Sequence, residues 1–76
     1  MTLIKAINIR IVELCAQKDI SPCELMKKAH IPESTFKSIV SGKSQNPSIV
    51  NIQKISIGLD VSITEFFNSK LFDSFE

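Results

Sequence analysis

The sequence predicts an all-α protein, five short helices around one compact core. Three observations carry this: apolar residues recur at three- and four-residue steps, helix-start signatures punctuate the chain, and no stretch sustains the period-two alternation of a strand. At 76 residues a single core is the limit, because a chain this short buries about 60–65% of its unfolded surface. With 43% hydrophobic and 22% charged residues, the composition is that of a globular rather than a disordered chain.

Leu3, Ile4, Ile7, Ile11 and Leu14 form one face of a first helix, expected to end near Lys18-Asp19. Ser21-Pro22-Cys23-Glu24 is a capping box with proline at the first helical position, where its missing N–H costs nothing. The second helix carries Leu25 and Ala29 inward and Lys27-Lys28 outward. His30-Ile31-Pro32 breaks the run, since Pro32 disfavours the α conformation at Ile31. A third helix begins near Glu33, turns Thr35, Phe36 and Ile39 inward, and stops at Ser41-Gly42, glycine being the preferred left-handed cap. After the polar loop Lys43 to Pro47, Ser48 caps a fourth helix holding Ile49, Ile52, Ile55 and Leu59. A second capping box, Ser62 to Glu65, opens a short fifth helix ending in Phe66-Phe67.

Several classes of function are disfavoured by what the chain holds. Cys15 and Cys23 are too few for a disulfide scaffold and read as free thiols of a reducing cytosol. Lys5, Asn8, Arg10 and Glu13 interrupt every apolar run near the start. No secretory signature or membrane span is therefore expected, and the location expected is cytoplasmic. The one histidine, His30, lies in a turn, and no phosphate loop or carboxylate pair accompanies it, so no enzyme is expected. Cys15, Cys23 and His30 lack the paired spacing of a zinc site. Neither cofactor, metal nor small-molecule ligand is expected.

The informative stretch runs from Ser21 to Gly42. Two helices of about eight residues are joined by a turn of three or four, and neither could stand alone in water. Flanking helices must hold them, which leaves the outer face of the third helix free. That face carries Glu33, Ser34, Lys37, Ser38 and Ser41, small or polar side chains that reach base edges without blocking close approach.

At these residues the chain resembles the phage-repressor-like, Xre/Cro-type helix-turn-helix family. The matching positions are Arg10-Ile11 with Leu14, Ile20-Ser21 with Glu24-Leu25, and Ala29-His30-Ile31-Pro32 with Ser34-Thr35-Phe36. They continue through Ile39, Gly42-Lys43, Asn46-Pro47-Ser48, Ile52, Lys54-Ile55, Leu59, Val61-Ser62 and Glu65-Phe66-Phe67. The resemblance covers about residues 7–67 and implies a lambda-repressor-like domain over residues 1–67. Residues 68–76 would then be a short aromatic and acidic tail, packing on the domain or on a dimer partner. It implies double-stranded DNA as partner, a homodimer on two half-sites, and a recognition helix of about residues 33–40 in the major groove.

Carried over by position, the base-contact candidates are Glu33, Ser34, Lys37 and Ser38, with Glu33 suited to a cytosine amino group and Lys37 to a guanine edge. The phosphate-contact candidates are Arg10, the helix start at Pro22-Cys23, and Ser41, Lys43, Ser44 and Asn46 at the end of the recognition helix and beyond it. Three positions depart from the family pattern. Pro22 stands where many members place a phosphate-contacting glutamine, His30 where many have glycine, and Met26 where a small alanine is usual. Ile9, Val12, Val50 and Ile57 are apolar where the pattern tolerates polar residues. With Leu71, Phe72 and Phe75 of the tail they are candidates for a dimer or partner surface.

The net charge of +1 hides an asymmetry. Residues 1–54 hold eight basic and four acidic groups, net +4, whereas residues 55–76 hold one and four, net −3. The expectation is a small transcriptional regulator, a repressor in the first instance. The competing class is a protein-interaction module, an antitoxin-like or adaptor subunit using the same fold with weak DNA contact.

Overall fold

The structure, a computed structural model, describes residues 2–43 and 47–73. Its elements are α1 (Leu3–Lys18), α2 (Pro22–Ala29), α3 (Glu33–Val40), α4 (Ile49–Gly58) and α5 (Ile63–Phe66), followed by a 3-10 turn at Lys70–Asp73. No strand occurs among the described residues. The five expected helices are all present. The 3-10 turn has no periodic signal four residues long and goes beyond the sequence reading.

Side-chain caps start four of the helices. Thr2 accepts from the Lys5 amide, Ser48 from Asn51 and Ser62 from Glu65. At α2 the capping box is reciprocal: Ser21 Oγ accepts from the Glu24 amide at 3.2 Å, and Glu24 Oε1 accepts from the Ser21 amide at 3.2 Å. α3 begins at Pro32 without a side-chain cap.

Three helices stop in the same way. Asp19, His30 and Asp60 adopt left-handed conformations with φ of 53°, 56° and 59°. In each case the next residue, Ile20, Ile31 or Val61, donates its N–H back to a carbonyl five residues earlier and buries its side chain. This is the Schellman closure, usually built on glycine. His30 takes its positive φ at the position where many family members have glycine, and Asp19 and Asp60 repeat it.

The core is one cluster in which Leu14, Leu25, Ile39, Ile52, Ile55, Leu59 and Phe66 are almost fully enclosed. α2 packs most extensively on α4. Gly58 permits it: a Cβ there would stand 2.9 Å from Leu25 Cδ1 and 3.2 Å from the Ala29 amide nitrogen, so α4 lies almost against the α2 backbone. The buried Ser56 hydroxyl donates to the Ile52 carbonyl at 2.9 Å, which satisfies it inside the helix.

One expectation is corrected here, and one left open is resolved. Arg10, expected on the phosphate-facing surface, is buried against the C-terminal end of α5. Its Nε donates to the Phe66 carbonyl at 2.7 Å, and one terminal nitrogen donates to the Glu65 carbonyl at 2.8 Å and the Asn68 carbonyl at 3.4 Å. The other terminal nitrogen lies 3.5 Å from Glu13 Oε1. The helix end supplies accepting carbonyls, of which that of Glu65 also takes the Asn68 N–H, and the guanidinium adds charged donors to them. Phe72, a partner-surface candidate in a tail expected to pack on the domain or on a partner, takes the first course and is buried within the chain, with its ring centroid 4.9 Å from that of Phe67 and 6.4 Å from that of Phe66. Leu71 is half-buried against the same core. Phe75 lies outside the described residues.

Candidate nucleic-acid interface

The turn His30-Ile31-Pro32 and the capped start of α2 set the relation between α2 and α3. Leu25 and Ala29 anchor α2, Phe36 and Ile39 anchor α3, and Ile31 fills the corner. With these side chains inward, helical periodicity sends Glu33, Ser34, Lys37 and Ser41 outward, and Ser38 to the half-buried edge. Ser34, Lys37, Ser38, Ser41 and Lys43 line one shallow depression of about 490 Å³. Three of the four base-contact candidates therefore share a surface with two of the phosphate candidates.

A second depression, about 300 Å³ and floored by Met26 and Phe36, brings Pro22 and Cys23 beside Glu33 and Lys37. Pro22 supplies no N–H, and the Glu24 amide is occupied by Ser21 Oγ. The exposed Cys23 position carries the donor that this helix start can offer an anion. The Glu24 carboxylate stands over the same helix end. The Ser21 amide, and then its hydroxyl, hold that carboxyl below its ordinary value.

Glu33 and Lys37 pair across one turn of α3, Lys37 Nζ lying 2.9 Å from Glu33 Oε1. The bond and charge of Lys37 lower the Glu33 carboxyl, and Glu33 in turn raises the Lys37 ammonium. Both groups remain charged around neutrality. Both are also well exposed, so the pair adds little to stability.

Asn8 contributes at this end of the molecule, and the sequence reading did not single it out. Gly42, at φ 80°, ends α3 with its Cα beside Asn8 Nδ2, which a Cβ would approach to 3.4 Å. Asn8 Oδ1 is buried without a hydrogen-bond partner among the described residues. The exit of α3, which leads to Lys43, thus rests on α1. The available signal was a polar residue at the inward-turning step between Ile4 and Ile11.

Among the partner-surface candidates, Val12, Val50 and Ile57 are exposed at 68%, 53% and 65%, and Ile9 is half-buried. Ile9 and Val12 line a depression with Ile4 and Val40, while Val50 and Ile57 belong to α4. Ile49, at 62%, adds to the α4 surface. Ser44 and Asn46 lie outside the described residues. No group of three or more metal-ligating side chains occurs among the described residues, and no helix there is long and apolar enough to cross a membrane.

Residues 10–70 match the family model described as a Cro/C1-type HTH DNA-binding domain. Over 61 residues the chain is 38% identical to the HTH-type transcriptional regulator SinR of Bacillus licheniformis, an alignment covering 80% of this chain. The chain spans 55% of that relative's length. No solved structure matches it.

Proposed function

The chain belongs to the Cro/C1-type helix-turn-helix DNA-binding family, and we propose that it is a small transcriptional regulator acting as a homodimer on a palindromic operator. Each α3 lies in the major groove, with the two recognition helices about 34 Å apart, and occupancy blocks polymerase. One observation carries this reading: α3 is held by its apolar side and presents Glu33, Ser34 and Lys37 outward, with Ser38 at the half-buried edge and Ser41 and Lys43 beside them. Bases are read by the first group and phosphates bound by the second. The likeness to a protein named as a transcriptional regulator supports the regulatory role. The exposed aliphatics of α1 and α4 support self-association.

The same aliphatics favour a second reading, a protein-interaction module with weak DNA contact. Selection from random duplexes, followed by binding across a salt series, separates the two. A regulator selects a two-fold symmetric site, and its affinity falls with salt in proportion to the phosphates neutralised. In Lys43→Ala all sequences should weaken alike, with the salt slope reduced by about one. Absence of affinity for any duplex at low salt would leave the interaction module standing.

A further inference from the structure

We propose that Glu33 and Lys37 read a single G·C base pair as one salt-bridged unit, not two base pairs as independent side chains. The inference rests on α3 being the DNA-reading helix and names what that helix reads. The two residues are the first and fifth of α3, on one face, joined at 2.9 Å, and exposed at 63% and 73% on their side chains. Ser34 and Ser38 flank them without bulk, so the pair can approach a groove floor.

The pair keeps unused hydrogen-bonding capacity on both partners. An ammonium has three donors, of which Glu33 takes one, and Glu33 Oε1 keeps a second lone pair free to accept. In the major groove a G·C pair shows guanine N7 and O6 as adjacent acceptors, then the cytosine N4 amino group as donor. O6 and N4 are themselves hydrogen-bonded, so they stand about 2.9–3.0 Å apart. That spacing matches the Nζ to Oε1 separation of the protein pair. Lys37 can donate to O6 and N7 while Glu33 accepts from N4, and the bridge between them stays intact. An A·T pair puts an amino donor between its two acceptors, so the second ammonium donor meets a donor instead.

Separating the pair to serve two base pairs would strip water from each charge while removing its counter-charge. An isolated Glu33 carboxylate would also face the phosphates unneutralised. Reading as a unit avoids both costs.

The test uses the full chain and its selected duplex, with every base pair of a half-site replaced in turn. E33Q and K37Q should each relax discrimination at the same one G·C pair, by roughly tenfold to hundredfold. Combined, they should lose little more than either alone. The exchange E33K with K37E reverses donor and acceptor along α3 and should turn the preference from G·C to C·G at that position. Circular dichroism checks that the exchanged protein is folded, and if it is not, the E33Q and K37Q cycle decides. Relaxation at two different base pairs, additive losses, or no change in discrimination would overturn the unit while leaving the DNA-reading role intact. A wild-type chain that selects no duplex would overturn both.

Discussion

Arg10 donates to three carbonyls at the end of α5, a distance of 55 to 58 residues along the chain. Arg10→Ala should therefore destabilise the fold by about 2–4 kcal/mol, because buried carbonyls lose charge-assisted partners. Urea unfolding measures this, and a change within about 0.5 kcal/mol would show the contacts to be incidental. Lysine should not rescue it, since one ammonium cannot reproduce the planar fork. The resemblance placed Arg10 at the DNA by position, and local sequence says nothing about carbonyls brought in from α5. Lys37 and Glu33 were legible because their exposure depends only on helical periodicity around Phe36 and Ile39. Their pairing follows from the four-residue spacing.

Among the elements, helix starts were the most legible feature. Ser21, Ser48 and Ser62 cap in the structure, because capping is decided within four residues, although at Ser62 only the serine half of the expected capping box forms. The stops follow a triad: a left-handed residue, a buried aliphatic, then the next helix's entry, as in Asp19-Ile20-Ser21, His30-Ile31-Pro32 and Asp60-Val61-Ser62. Asp and His tolerate the left-handed region better than most residues, so the triad is readable once seen three times. The contact between α2 and α4 was not readable, because Gly58 inside an apolar run gives no hint of which helix approaches it. Gly58→Ala should cost about 1–3 kcal/mol by overpacking against the α2 backbone, despite alanine's better helix propensity. A thermal melt decides: an unchanged or raised midpoint would mean that α2 moves away freely. Because a three-residue turn joins α2 to α3, the same variant should weaken operator binding more than its loss of stability alone accounts for.

At the scale of the whole molecule, residues 1–54 and 55–76 carry net charges of +4 and −3. The candidate DNA face lies in the first segment, so the near-neutral total does not oppose binding; it limits the non-specific part. The tail was legible as apolar, but its partner was not, since Phe72 could equally have met a second copy. Burial against Phe66 and Phe67 makes it part of the core. Truncation after Phe67 should lower stability by about 2–4 kcal/mol, read as a falling melting temperature. A truncated chain that melts with the full one would remove Phe72 from the core.

The Arg10 clamp also orders events in time. Closing a loop of more than fifty residues costs chain entropy before any contact rewards it, whereas α2 and α3 meet across a three-residue turn. The helix-turn-helix is expected to assemble early and the clamp to close late, so the Arg10→Ala loss should appear as faster unfolding at a nearly constant folding rate. In kinetic terms the guanidinium is a latch: it has little part in finding the native state and sets how long the chain stays there.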